Sequence, residues 1–290
     1  MSQSPSITWS RLGLGTGTLA SLGRACSVKD VEKLLALMLE NGVSVIDTAD
    51  TYGSGACERL LGRALRKKQD SFTFVTKAGY CHGDLPLPLR PLNPFLKKAL
   101  QRIGRRQSFE PAYVARCLDR SLSRLGMDQV SAFMLHDASM EAITNDRLLS
   151  VLENLKNSGK TQAVGVSTGE PEILQHALST GIFEVIQTPA SLRYATKLQA
   201  IWRQCEAAGI HVIGNHIFDP LCFRHPEMSH EMLMCASAAL MPPGATILCG
   251  TRNSSHLAQS KDWAASPMPL TDAERLVEEM AKFEKTELHP

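Results

Sequence analysis

The chain has 290 residues, 43% of them hydrophobic and 21% charged, with a formal net charge of +2 at pH 7. Those figures describe an ordinary soluble globular protein, of a length that suits one large α/β domain or two medium ones. So balanced a charge carries no global polyanion-binding signature, and nucleic acid is not expected as a partner.

The eight cysteines (Cys26, Cys57, Cys81, Cys117, Cys205, Cys222, Cys235 and Cys249) form no C-x-x-C pair, which leaves zinc-ribbon and thioredoxin-like readings unsupported. Cys117, Cys205 and Cys249 stand in apolar segments and read as small buried hydrophobes in a reducing compartment. The opening Met1-Ser-Gln-Ser-Pro-Ser6 lacks a basic-then-apolar signal, and no apolar run reaches membrane-spanning length. A cytoplasmic protein without a membrane partner is expected.

In chain order, Arg11 to Leu19 is a short apolar piece that breaks into Gly and Thr. Val28 to Asn41 has apolar residues at helical spacing, with Asn41-Gly42 as a stop. The β-branched run Val43 to Ile46 predicts a buried parallel strand ending in Asp47. Tyr52 and Gly53 follow on a loop, and then comes a helix carrying Leu60, Leu61, Ala64 and Leu65. Further strands are predicted over Phe72 to Thr76 (ending in Lys77), Val130 to Leu135 (His136), Ala163 to Val166 (Ser167), Val185-Ile186 (Gln187), Ile210 to Ile213 and Ala245 to Leu248. Helices are predicted over Pro111–Leu125, Asn145–Asn157, Pro171–Thr180, Thr196–Ala208, Glu231–Leu240 and Leu270–Lys285, four of them closed by Gly126, Gly159, Gly181 and Gly209.

Strand and helix thus alternate in eight units from about residue 11 to about residue 260, with no linker between them. Such alternation requires parallel strands joined by right-handed crossovers, and eight units in about 250 residues match a closed (β/α)8 TIM barrel, here one domain over residues 1–290. An open doubly wound sheet is the alternative. Its phosphate fingerprint is missing, because Gly13-Leu-Gly-Thr-Gly-Thr18 does not complete G-x-G-x-x-G and no acidic residue stands where the ribose partner belongs.

In a barrel the strand-end residues Asp47, Lys77, His136, Ser167 and Gln187 converge on one mouth, with Tyr52 on the second loop. A phenol's ordinary pKa, about 10, is too high for efficient proton exchange near neutral pH, and an ammonium such as Lys77 lowers it. A carboxylate such as Asp47 holds the lysine and neutralises its buried charge. A histidine such as His136 hydrogen-bonds a carbonyl oxygen and fixes its orientation. Together they form a device for protonating a ketone or aldehyde oxygen as hydride arrives, or for the reverse. Taken by themselves, Asp47 and Tyr52 read equally well as a strand cap and a turn residue.

The segments Ile46-Asp47-Thr-Ala-Asp-Thr-Tyr52-Gly, Val75-Thr-Lys77-Ala-Gly and Phe133-Met-Leu-His136-Asp resemble the aldo-keto reductase family, matching its Asp/Tyr/Lys/His tetrad in identity, order and spacing. Arg11-Leu-Gly-Leu-Gly-Thr16, Ser121-Leu-Ser-Arg-Leu-Gly126, Val164-Gly-Val-Ser167 and Gly250-Thr-Arg-Asn-Ser-Ser-His-Leu257 extend the resemblance over nearly the whole chain. His136-Asp137 is similar to the aldose and pyridoxal dehydrogenase-like branch. The resemblance implies an NADP(H)-dependent oxidoreductase that interconverts a small aldehyde or ketone and its alcohol. It makes Tyr52 the general acid/base, Lys77 and Asp47 its tuning pair, and His136 the donor that orients the substrate. It assigns Ser167, Thr168 and Gln187 to the nicotinamide, and Gly15, Thr16, His216, Gly250, Thr251, Arg252 and Ser260 to the rest of the cofactor. Arg252's forked donors suit an adenosine 2′-phosphate, although an exposed arginine needs no ligand to explain it.

The departures from the family pattern fall on the cofactor side. Thr168 stands where the family has Asn. In Gln187-Thr-Pro-Ala190-Ser, Ala190 replaces an aromatic expected to stack on the nicotinamide, a loss of ~1 kcal/mol that would leave a wider pocket. His216-Ile-Phe218 replaces the Ser-Pro-Leu pyrophosphate loop, and Gln259-Ser260 the Glu-Asn adenine contact. A barrel without redox turnover, acting as a binding or regulatory subunit, therefore stays open as an alternative.

Residues 78–110 are Pro-rich and basic, with Arg90, Lys97, Lys98, Arg102, Arg105 and Arg106 against Asp84, and with Leu96, Leu100 and Ile103 as an apolar stripe. This reads as a solvated barrel loop, or as a lid for an anionic substrate. His82, His211, His216, His225 and His230 have no metal-ligand spacing, so no metal is expected, and His211 on an apolar strand reads as a satisfied core histidine. A monomer or small homo-oligomer is expected.

Overall fold

The computed structural model describes residues 7–20, 25–65, 68–82 and 107–288. Eight parallel strands close in chain order: β1 (Leu12–Gly15), β2 (Val45–Asp47), β3 (Thr73–Ala78), β4 (Val130–His136), β5 (Thr161–Ser167), β6 (Val185–Pro189), β7 (His211–Asn215) and β8 (Thr246–Cys249). β8 returns to β1 through Leu12↔Ile247. This is the (β/α)8 barrel that the alternation predicts. Around it lie α1 (Val28–Glu40), α2 (Ala56–Leu65), α3 (Pro111–Leu125), the single turn α4 (Met140–Ile143), α5 (Asp146–Asn157), α6 (Pro171–Thr180), α7 (Leu192–Ala207), α8 (His230–Leu240), α9 (Ser254–Ala265) and α10 (Leu270–Leu288).

Strand side chains alternate between two cores. Val45, Val75, Ala132, Met134, Ala163, Val185, Ile213 and Leu248 fill the barrel interior, while neighbours such as Ile46, Phe74, Phe133, Val164 and Ile186 face the helices. Ile7 and Trp9 pack on the interior cluster ahead of β1. Trp9 stacks on His211 at 4.0 Å, and His211 Nε2 lies 3.0 Å from Thr246 Oγ1. Burial lowers the His211 pKa to about 4, so it is the neutral, satisfied core histidine expected. Chemistry is left to the opposite, C-terminal end.

Several strands run one to three residues further than their apolar runs suggest. β3 takes in Lys77 and β5 takes in Ser167, because these polar side chains meet one another inside the barrel instead of water. α4 and α9 were not anticipated. α4 is too short for a periodic signal, and α9 buries only Leu257, Ser260 and Ala264 among small polar residues. The basic run from Asp84 to Arg106 lies outside the described residues, but Tyr80 and Gln107, on either side of it, pair as an antiparallel bridge.

Candidate active site

β2 ends in Asp47, and the next residues keep its pairing with β3, through Thr48 N–H to Val75 O (2.8 Å) and Asp50 N–H to Lys77 O (3.1 Å). The chain then turns through Gly53, Ser54 and Gly55, with φ of 57°, 52° and 77°. A Cβ would lie 3.0 Å from Ala20 O at position 53 and 2.8 Å from Arg124 Cδ at position 55, so both sites need glycine for space as well as conformation. This turn lays the Tyr52 ring over the strand ends. Its centroid is 5.5 Å from Lys77 Nζ and 6.1 Å from the His136 ring, at 80° to it.

Beneath the phenol, buried hydrogen bonds cross four strands. Lys77 Nζ donates to Asp47 Oδ1 (2.6 Å) and Thr48 O (2.9 Å). Gln187 Nε2 donates to the same Asp47 Oδ1 (2.8 Å), and Ser167 Oγ donates to Gln187 Oε1 (2.9 Å). The structure therefore brings Asp47, Lys77, Tyr52, His136, Ser167 and Gln187 together. It also corrects one expectation. Lys77 is the largest single influence on Tyr52 and lowers its pKa, but burial with Asp47, Cys57 and Asp137 outweighs it, and the net direction is upward. Burial works against the Lys77 ammonium too, yet Asp47 and Tyr52 more than offset it and its pKa rises. The site holds a protonated phenol beside a charged lysine.

The cofactor-side residues are less uniform. Gly15 and Gly250 adjoin at the ends of β1 and β8, where a Cβ on Gly15 would lie 3.8 Å from Gly250 Cα. Thr16 is buried and donates to Asp47 O (2.9 Å). Thr168 is buried, with Oγ1 accepting from Glu170 N at 3.3 Å. His216 is exposed just past β7, with φ 52°. Thr251 Oγ1 accepts from Asn253 N (3.0 Å), and Arg252 is exposed immediately before α9.

Two positions are not where the resemblance puts them. Ser260 is buried between α9 and the outer side of β8, its Oγ 3.1 Å from Cys249 Sγ, so it does not reach the mouth as an adenine contact. Ala190 is buried among outward-facing residues, 2.7 Å from the Cβ that Gly214 would carry if substituted. A ring at 190 would press on Gly214 and Met241, so its absence does not widen the pocket. Asn215, two residues beyond inward-facing Ile213, stands inside the mouth instead, with its buried Oδ1 accepting no hydrogen bond.

A buried charged group behind Tyr52 was also missed. Arg124 Nε on α3 pairs with Glu58 Oε2 on α2 (2.7 Å), and Thr76 Oγ1 donates to Glu58 Oε1 (2.7 Å). Asp50 is fully buried beside them, with Cys117 and Tyr113 of α3 near it and His82 Nδ1 3.8 Å away. Burial and the Glu58 charge push Asp50 up to about 7, only partly offset by Cys117, Arg124 and the Thr51 N–H. Because its folded pKa is raised, its stabilising contribution is complete below the unfolded value, about 3.9, and is lost as pH rises through about 7. At 1.36 kcal/mol per pH unit the loss is on the order of 4 kcal/mol. Asp50→Asn should therefore melt higher than wild type at pH 8, with the advantage shrinking towards pH 5. Melting curves that stay parallel across that range would refute it.

Among the described residues no helix is long and apolar enough to cross a membrane, and no group of three or more His, Cys, Asp or Glu is arranged to hold a metal ion. The profile of the Aldo/keto reductase family matches residues 11–219. Pyridoxal 4-dehydrogenase of Microbacterium luteolum is 30% identical over 191 residues, 59% of this chain and 56% of that protein. NADH-specific methylglyoxal reductase of Escherichia coli (strain K12) is 27% identical over 229 residues, 74% of this chain and 64% of that protein. The chain thus spans between half and two-thirds of the length of these two relatives. A Pseudomonas aeruginosa structure assigned to the aldo-keto reductases superposes with a TM-score of 0.69 at 25% identity, covering 89% of this chain and 91% of that one. Because the family match runs from the start of β1 to the loop after β7 and takes in every tetrad residue, the chain belongs to the Aldo/keto reductase family.

Proposed function

We propose that the protein is an NADP(H)-dependent oxidoreductase that interconverts a small aldehyde or ketone and its alcohol, with Tyr52 giving and taking the proton. The observation that carries this reading is the buried chain Ser167–Gln187–Asp47–Lys77 beneath the phenol. It keeps an ammonium next to Tyr52 where an isolated charge would be costly, and so stabilises phenolate once the proton has left. When bound, a reduced nicotinamide supplies the hydride. His136, its ring edge-on to Tyr52, orients the carbonyl oxygen that Tyr52 protonates. In the oxidative direction Tyr52 takes the proton back.

The residues fit the cofactor. Ser167 spends its own proton on Gln187 and keeps lone pairs that accept from a carboxamide NH2, and the unpartnered Asn215 Oδ1 is a second acceptor. Arg252 stands beside the N-terminus of α9, where the helix dipole favours phosphate. A barrel that only binds or regulates loses one of its motivations, since Ala190 does not face the mouth, while the departures at Thr168, His216-Ile-Phe218 and Ser260 remain. Titrating NADPH against the protein by fluorescence should give saturable binding, and its absence at hundreds of micromolar would favour the non-redox alternative. Arg252→Ala should weaken NADPH roughly ten- to hundredfold while leaving NADH nearly unchanged, as expected for loss of a charge-assisted hydrogen bond worth about 1.5–3 kcal/mol.

A further inference from the structure

The mouth carries a second polar pair that proton transfer does not use. Tyr80, two residues past β3, donates its phenol hydrogen to Asp137 Oδ2 at 2.5 Å. Its ring stands edge-on to His136, centroids 4.9 Å apart at 90°. Asp137 follows β4, is exposed, and has a φ of 50°, a left-handed conformation that non-glycine residues keep only where their surroundings enforce it. The surroundings do enforce it: Asp137 N–H donates to Ser167 O (2.8 Å), and Gln107 Nε2 donates to Asp137 O (2.9 Å) and His136 O (3.3 Å). Tyr80 is fixed in turn by its bridge to Gln107 and by the Tyr113 hydroxyl, which donates to Tyr80 O (3.1 Å).

What this pair offers an incoming molecule is one-sided. An ionised carboxylate only accepts hydrogen bonds, and Tyr80 has spent its one proton on Asp137, so its oxygen too is left as an acceptor. The Tyr52 and Tyr80 rings both stand edge-on to His136, with centroids 6.1 Å and 4.9 Å from it, so the Tyr80–Asp137 pair adjoins the place where a carbonyl oxygen would sit between Tyr52 and His136. A hydroxyl there can donate to the rim, whereas a hydrogen or methyl cannot, and a carboxylate would set one negative charge against another. We propose that Tyr80 and Asp137 form a specificity pair selecting neutral carbonyl substrates that carry a hydroxyl near the reacting carbon, and disfavouring carboxylated ones. The inference rests on the oxidoreductase reading above, and it runs against an anionic substrate.

The test compares kcat/KM for glyceraldehyde, propionaldehyde and succinic semialdehyde, with NADPH, in wild type, Asp137→Gly, Asp137→Asn and Tyr80→Phe. Glycine and asparagine both tolerate the left-handed backbone, so these substitutions remove the side chain or its charge without forcing position 137 to refold. Wild type should prefer glyceraldehyde to propionaldehyde at least tenfold. Asp137→Gly should cut that ratio about tenfold, chiefly through KM, and Asp137→Asn should raise the relative rate on succinic semialdehyde. Tyr80→Phe keeps the ring against His136 but removes one acceptor and the hydroxyl that holds Asp137, and should cut the ratio by a smaller factor, about threefold. A wild-type ratio near one, or a ratio within twofold of wild type in Asp137→Gly, would overturn the proposal. If wild type reduces none of the three, saturation-transfer NMR with glyceraldehyde and propionaldehyde still decides. Binding that needs both the hydroxyls and Asp137 upholds the pair while the oxidoreductase reading fails, and binding indifferent to either, or none, overturns the pair as well.

Discussion

Replacing Tyr52 by Phe should lower turnover by roughly 10²–10⁴-fold, the range for loss of a positioned general acid, with nicotinamide binding almost unchanged. The ring would keep its place, since Gly17 packs against it and the glycine turn after it is untouched. The Lys77–Asp47–Gln187 bonds do not pass through the phenol oxygen and would persist. Binding measured by fluorescence and turnover measured at saturating substrate therefore separate the two contributions. Undiminished turnover in the variant would end the assignment of Tyr52.

The second large effect is on stability. Lys77→Met removes one member of a pair that is almost wholly buried, leaving Asp47 with a charge answered only by neutral donors and Thr48 O without its donor. Breaking a buried pair in this way costs about 3–5 kcal/mol. At about 2–4 °C per kcal/mol for a chain of this size, Tm should fall by roughly 10 °C. Adding Asp47→Asn should restore much of that loss, because the stranded charge is gone, but should restore no activity, because the ammonium is gone too. A single variant that melts with wild type would show the pair to be more hydrated than its geometry indicates.

How much of this was legible in the chain depends on the kind of signal. The barrel followed from strand–helix alternation, which survives errors of several residues at each boundary. The tetrad was legible because each member stands at a strand end or just past one, and strand ends are where apolar runs stop. Side-chain direction was harder. Ala190 lies three residues beyond inward-facing Gln187, so the strand's period of two already points it outward, but only if the strand is followed past Ile186. Ser260 could not be placed without α9, whose polar, weakly patterned sequence hides it. Glu58 was within reach, since it shares a helical face with Leu61 and Leu65 at i+3 and i+7, a charge on an apolar stripe. The upward shift of Tyr52 was not, because it is a sum over burial and several charges that no single neighbour reveals.

Asp47 Oδ1 receives Lys77 and Gln187 at once, and so one oxygen is divided between the two ends of the site. A ligand that draws on Ser167 or Gln187 alters how much of that oxygen is left for the lysine, and with it the proton affinity of the phenol above. Linkage makes the effect mutual: the tightness of binding at the Ser167 end must vary with pH wherever Tyr52 and Lys77 exchange protons.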